Sequence, residues 1–157
     1  MMLRYMKLYG LSLILLMLPL NLFAGGIDEE YSIEGAGTGV EGTYLVKVTL
    51  LSKKASVADQ TFVRCAVHGV LFRGFESQQQ RQHQRAMVGS EQEEHSDFYE
   101  NFFRNDLSSY AEVVEGSRQV RMTGKKYRIS SIVQVFKDKL RRNLEEEGVI
   151  KKLTNGF

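Results

Sequence analysis

The sequence predicts an α+β fold, in which a small, mainly antiparallel sheet carries helices on one face. Extended, β-branched runs and amphipathic helical stretches follow one another in the order β-α-α-β-β-α. The 157 residues suit one domain, and 43% of them are hydrophobic, which is enough for a packed core. A single cysteine excludes an intramolecular disulfide framework and a multi-cysteine zinc site.

Residues 1–24 have the three parts of a secretory signal peptide. Arg4 and Lys7 precede an apolar run, and Pro19 interrupts that run before it reaches the roughly 20 residues of a membrane span. We expect cleavage after Ala24. The mature protein should then be periplasmic or secreted, with no permanent membrane span.

The charge of the mature chain argues against nucleic acid as a partner. Loss of Arg4 and Lys7 with the signal peptide reduces the basic residues from 21 to 19, which equals the number of acidic residues. A nucleic-acid-binding protein needs a surplus of Lys and Arg, and export separates the chain from such a partner.

Residues 25–41 are predicted to form a flexible, Gly-rich lead-in to a single α+β domain over 42–157. The stretch is acidic and has no sustained hydrophobic periodicity. Gly37, Gly39 and Gly42 match the G-x-G-x-x-G spacing of dinucleotide sites. In those sites the glycines open a helix, whereas here they precede a strand, so no cofactor is predicted.

The first strand is predicted over 42–52, a run rich in β-branched and aromatic residues. Ser56 and Asp59 then have the spacing of a capping box, which predicts a helix over Val57–Phe75. The Thr, Phe and Val residues of this segment leave a strand open as the alternative. Glu76 to Arg85, in which five of ten residues are Gln, is predicted to be an exposed loop.

A second capping-box pair, Ser90 and Glu93, predicts a helix over 91–105. Four aromatic residues at helical spacing give this helix a packing face, and we expect them to belong to the core instead of a binding site. They are Phe98, Tyr99, Phe102 and Phe103.

The C-terminal third is predicted to be a hairpin followed by a helix. Extended runs over 110–122 and 127–136 flank a tight turn at Gly124, and Gly116 indicates a bend within the first run. The helix is predicted over 138–147.

Several segments resemble those of a known group of proteins in their order and in the placement of their apolar residues. They are Ala66-Val67-His68-Gly69-Val70, Phe102-Phe103, Tyr110 to Val114, Tyr127 to Val135, and Leu140, Leu144 and Gly148-Val149-Ile150. From the first strand onward the chain resembles the small α+β modules of exported Gram-negative envelope proteins, notably flagellar T-ring and curli-secretion-associated lipoproteins. It is also similar to uncharacterised secreted Gram-negative proteins. The resemblance implies export and an assembly role without catalysis, although the lipid-attachment Cys is missing.

Metal binding is the enzymatic alternative, because imidazole and carboxylate groups are common zinc and iron ligands. His68 is expected at the surface beside Arg64, one helical turn away, and His83 lies in the Gln-rich loop. His95 is expected to point towards the aromatic face as a hydrogen-bonded core histidine. Together with Glu91, at i, i+4 spacing, it could alternatively supply two ligands.

The sequence therefore predicts an exported, non-catalytic binding or assembly module of the envelope. Its partner would be another envelope protein or a second copy, contacted through an open sheet face or an edge strand. Cys65, in the run FVRCAV, favours a buried thiol over pairing with another chain. The alternatives are a small secreted metal-dependent or hydrolytic enzyme using His95 and Glu91, and a carbohydrate or lipid binder with aromatic residues exposed on the sheet.

Overall fold

The computed structural model describes residues 27, 29–77, 82–89 and 94–153, and within them the predicted α+β class is confirmed. The strands are β1 (Tyr31–Gly37), β2 (Tyr44–Ser52), β3 (Phe75–Ser77), β4 (Gln82–Gln84), β5 (Ala111–Val113), β6 (Gln119–Thr123) and β7 (Lys126–Val135). The α-helices are α1 (Asp59–His68), α2 (Ser96–Arg104) and α3 (Lys137–Glu146), and a π-helical turn, Gly69–Arg73, continues α1. No helix within these ranges is long and apolar enough to cross a membrane.

Strand β7 is the centre of a five-stranded antiparallel sheet. Strand β2 pairs with one edge of β7 along nine residues, from Tyr44 opposite Val135 to Ser52 opposite Tyr127. The other edge of β7 is shared by β5 and β6, which pair with its C-terminal and N-terminal parts. Strand β1 pairs with the far side of β2, and β3 and β4 form a separate two-stranded sheet.

Alternation along the strands gives the sheet a covered face and an open face. The covered face of β2 consists of its buried side chains, Val46, Val48 and Leu50. The open face consists of the partly exposed residues between them, Lys47, Thr49 and Leu51. The buried residues of all three helices pack into the same hydrophobic core as the covered face, so the prediction of helices on one face is confirmed. Burial of each such Val or Leu side chain stabilises the fold by about 1.5–3 kcal/mol.

The prediction of a flexible lead-in over 25–41 is wrong for Tyr31–Gly37, which forms edge strand β1. The glycines that suggested flexibility serve close packing instead. A Cβ atom added at Gly35 would lie only 2.9 Å from the Cβ atom of Ser77 in β3. A small residue therefore allows β3 to approach β1, and it also removes the side-chain alternation that marks a strand in the sequence.

Within the predicted range Val57–Phe75 a helix does form, over residues 59–73, but the capping box is not formed. Ala58 is the N-cap residue, and no side chain caps the helix. The carboxylate of Asp59 instead accepts a hydrogen bond from Arg118, whose guanidinium also donates to the carbonyl oxygen of Val57 at 2.9 Å. A long-range ion pair thus replaces the local cap, and Phe75 already belongs to β3.

The prediction of an exposed loop over Glu76 to Arg85 is also wrong in part. Strands β3 and β4 pair across the Gln-rich segment, with Phe75 opposite Gln84 and Ser77 opposite Gln82. Residues 78–81 lie outside the described residues. The composition did not predict this pairing because the hydrogen bonds between the strands come from backbone groups, which every sequence has. The long polar side chains of the segment can meanwhile remain in solvent.

The aromatic packing face of the second helix is confirmed, but the helix begins later than predicted. The pair Ser90 and Glu93 lies outside the described residues, and α2 starts at Ser96. Three of the four aromatics are buried and the fourth is half-buried against the core. The edge-to-face contact between Phe72 and Tyr99, with ring centroids 4.9 Å apart, joins α2 to the π-helical turn.

The C-terminal hairpin and helix agree with the prediction. Gly116 bends the first extended run into β5 and β6, and Gly124 turns the chain from β6 into β7 at φ +61°. Helix α3 starts and ends one residue before the predicted positions.

Two glycines with the same φ angle allow a matched test of packing. Gly74 and Gly116 both have φ +72°, but a Cβ atom at Gly74 would lie 2.3 Å from the carbonyl oxygen of Gln84, whereas nothing lies within 4 Å at Gly116. We expect Gly116→Ala to lower the free energy of unfolding by about 1 kcal/mol and Gly74→Ala by about 3 kcal/mol or more. Urea unfolding measures both, and equal losses would contradict the packing described around Gly74.

Candidate functional site

Four chemically different side chains lie close together between β1 and the first helix with its π-helical turn: Tyr31, Cys65, His68 and Arg73. The Tyr31 hydroxyl and His68 Nδ1 are 2.6 Å apart. The Arg73 guanidinium lies 4.2 Å from the centre of the Tyr31 ring and donates a hydrogen bond to the Tyr31 carbonyl oxygen. Cys65 is buried one turn before His68 on α1, as the sequence predicted for this thiol.

The surface position expected for His68 is wrong. Its imidazole is half-buried and contacts the rings of Phe72 and Phe103, with centroids 5.0 Å and 5.7 Å away. Helical periodicity places His68 and Arg64 on the same stripe, but it cannot show that β1 covers one end of that stripe. The tyrosine on β1 provides the hydrogen-bond partner that a covered imidazole needs.

The electrostatics of this cluster oppose nucleophilic chemistry. Burial, assisted by Arg73, lowers the pKa of His68 to about 4. Burial, with a contribution from Glu29, raises the pKa of the Cys65 thiol to about 12. Both groups are therefore neutral near pH 7, whereas an activated cysteine requires a thiolate with a protonated or basic partner. The cluster ties β1 to α1 and does not form a reactive pair.

Within the part of the chain that the structure describes, neither of the other two histidines belongs to a group that could hold a metal ion. His95 is the half-buried residue before α2, and Glu91 lies outside the described residues, so the pairing of these two remains a prediction. His83 is exposed on β4, with Nδ1 3.8 Å from a carboxylate oxygen of Glu76. Within the described ranges no three His, Cys, Asp or Glu residues are arranged to hold a metal ion.

The Gly-rich motif forms the connection between β1 and β2. The hydroxyl and amide groups of Thr43 both donate to the carbonyl oxygen of Val40, at 2.6 Å and 3.0 Å, and close a turn. Gly37, Gly39 and Gly42 therefore join two antiparallel strands. A dinucleotide site uses glycines that lead into a helix N-terminus, which is not the arrangement here.

The open face of the sheet forms a shallow groove of about 560 Å³. Its floor and walls come from four adjacent strands, and most of the side chains are polar. They include Ser32, Glu34, Lys47, Thr49, Gln119, Arg121, Arg128 and Ser130. No aromatic side chain occupies a strand position on this face among the described residues, so the aromatic patch required by the carbohydrate or lipid alternative is not found there.

Charge is distributed unevenly across the groove. At the β1 side, Glu34 and Lys47 form an ion pair at 3.1 Å. At the β6 side, Arg121 and Arg128 lie directly opposite each other on paired strands, and neither takes part in an ion pair within the described part of the chain. Like charges directly opposite each other are unfavourable in a sheet. The sequence reasoning missed this pair because it depends on the strand register.

Burial of Cys65 predicts that its thiol does not react in the folded protein. We expect modification by a disulfide reagent to be at least about a hundredfold slower than in urea-unfolded protein, because the thiol is both inaccessible and protonated. Spectrophotometric thiol titration with and without urea measures the two rates. Rapid stoichiometric labelling under native conditions would show that the thiol is accessible.

The neutral imidazole of His68 predicts a specific pH dependence of stability. Because its pKa is about 4 in the folded state and ordinarily 6.5, the unfolded chain takes up the proton first as the pH falls. The stabilisation is therefore complete above about pH 6.5 and is lost as the pH falls through 4.

His68→Gln, which cannot titrate, is the control for this effect. Between about pH 7 and pH 4 the wild-type protein should lose roughly 2 kcal/mol more unfolding free energy than the variant, after allowance for partial solvation of the ring. Parallel losses in chemical denaturation of the two proteins would contradict the role given to His68.

Comparison of the chain with protein-family models, curated proteins and solved structures found no match. The resemblance to flagellar T-ring and curli-associated modules therefore stays a prediction. Of the regions described above, the open face and its border at β6 leave the most functional groups accessible to another molecule.

Proposed function

We propose that the protein is an exported, non-catalytic binding or assembly module of a bacterial envelope, which contacts another protein chain through the open sheet face and the adjoining edge strand β6. The observation that carries this proposal is the exposure of β6. It pairs with β7 on one side, and all five of its residues are exposed. An exposed edge strand offers backbone donors and acceptors to another chain.

The distribution of burial supports binding over catalysis. Of the groups that could take part in a reaction, the thiol and the phenol are buried and the imidazole is half-buried, and this burial favours the neutral form of each. The exposed groove instead presents hydroxyl, amide and charged side chains from an antiparallel sheet. Such groups recognise another surface without requiring an activated nucleophile.

The signal peptide predicted over 1–24 supports an envelope location. The balanced charge of the chain without residues 1–24 gives no reason to expect a nucleic-acid partner inside the cell. Export and an exposed edge strand together support an assembly or binding role.

Two exposed valines allow this function to be tested in cells. A photo-crosslinking amino acid replaces either Val120 in β6 or Val40 in the β1–β2 turn, which are 45% and 72% exposed. We expect a discrete adduct with another chain from position 120 and none from the more exposed position 40. Detection is by immunoblotting of fractionated cells.

The same fractionation tests the location. The adduct and the cleaved protein should both occur in the envelope fraction. Equal adducts from the two positions, or none from position 120, would overturn a binding role for β6, and recovery of the uncleaved chain from the cytosol would overturn export.

A further inference from the structure

We propose that β6 binds an extended segment of a partner protein as an added antiparallel strand, and that this segment alternates acidic and apolar residues. The inference rests on the proposed function and specifies the partner. It follows from three features of the β6–β7 hairpin: a free edge, two chemically different faces and an excess of positive charge.

Strand β6 has a free edge along its whole length. No backbone hydrogen bond other than those of the β6–β7 ladder involves Gln119–Thr123 among the described residues. The outer edge of β1, in contrast, is approached by β3 at Gly35, and the Tyr31 carbonyl oxygen accepts a hydrogen bond from Arg73. Strand β5 contains three residues and adjoins α1.

Hairpin geometry indicates which backbone groups of β6 face outward. Thr123 and Lys126 flank the two-residue turn, and a pair in this position exchanges both of its hydrogen bonds. Hydrogen-bonded and non-hydrogen-bonded pairs alternate along antiparallel strands. The backbone N–H and C=O groups of Met122 and Val120 are therefore directed away from β7 and are available to a further strand.

The two faces of β6 differ in chemistry. Val120 and Met122 project to the same side as Ile129, but beyond the packed core, and they are 45% and 69% exposed. Arg121 projects to the open face, opposite Arg128. A strand added to β6 continues this alternation, so it would place apolar side chains beside Val120 and Met122 and acidic ones beside the arginines.

Charge complementarity favours an acidic partner segment. Between Glu115 and Asp138 the sequence contains six cations and no acid. Arg118 is already bound to Asp59. The remaining cations of the hairpin are exposed and have no ion pair within the described residues, namely Arg121, Lys125, Lys126 and Arg128.

The placement of these groups favours a strand over a lipid surface. An element that binds a membrane surface buries a broad apolar face at the boundary between the lipid headgroups and acyl chains. Strand β6 offers only two exposed apolar side chains, Val120 and Met122. Here the exposed apolar residues and the two paired arginines lie on opposite faces of the hairpin, and only a partner that reaches both faces, as an added strand does, contacts both sets.

Fluorescence anisotropy with a labelled peptide of about seven residues, in which Glu and Val alternate, tests this proposal on the mature protein. We expect saturable binding. A peptide with Lys in place of Glu, and one of the same composition with Glu and Val in separate blocks, should bind at least about tenfold more weakly, because neither presents acids on one face and valines on the other.

Two variants separate the charge contribution from the edge contribution. Arg121→Glu combined with Arg128→Glu should weaken binding by about tenfold, whereas Lys139→Glu combined with Arg142→Glu, the same charge change on exposed positions of α3, should leave it within about twofold. Met122→Pro removes an outward N–H group and should abolish binding. Circular dichroism and thermal unfolding verify that each variant is folded.

Besides failure of the alternating peptide to bind, four outcomes would overturn the proposal. These are equal affinity for the alternating and block peptides, equal loss in both charge variants, binding to anionic phosphatidylglycerol vesicles without binding to the peptide, and a peptide-independent dimer that Met122→Pro dissociates. The last would identify a second copy as the occupant. If position 120 still crosslinks in cells while the peptide fails to bind, the binding function stands and the acidic-strand assignment is wrong.

Discussion

The pairing of β2 with β7 is the contact on which the remaining elements depend. It aligns nine residue pairs and brings two sets of fully buried aliphatic side chains onto one face of the sheet. The helices bury their apolar stripes against this face, and β1, β5 and β6 attach to its two outer edges. A register shift of one residue would turn the buried valines of β2 towards solvent, so the hydrophobic effect fixes the register strongly.

Elements defined by strong local patterns could be predicted from the sequence. Strand β2, the C-terminal hairpin, helix α3 and the aromatic face of α2 each have a clear periodicity or a turn glycine. Elements that depend on tertiary contacts could not. Strand β1 contains glycines because β3 approaches it closely, and the N-terminus of α1 is fixed by Arg118, which lies 59 residues away from Asp59.

In the candidate site, too, some features could be predicted from local sequence and others depend on tertiary contacts. The burial of Cys65 could be predicted from its apolar neighbours in the sequence. The hydrogen bond of His68 could not, because its partner Tyr31 lies on β1, a strand that the Gly-rich composition did not predict. Likewise, the density of positive charge between Glu115 and Asp138 is visible in the sequence, whereas the opposition of Arg121 and Arg128 appears only with the register. The sequence therefore shows which charged and titratable side chains are present, and the sheet topology determines which of them are in contact.

The bend at Gly116 limits the length of a partner segment that can pair with β6. Strand β6 begins at Gln119. Immediately before it, Arg118 is bound to Asp59 of α1, and Ser117 is hydrogen-bonded to Ser131 and to the backbone of β7. At its other end the strand stops at the turn formed by Gly124 and Lys125. A partner segment can therefore pair with β6 along only five residues. Binding at this edge is thus suited to short motifs, and the flanking residues of a longer partner would have to contact other parts of the surface.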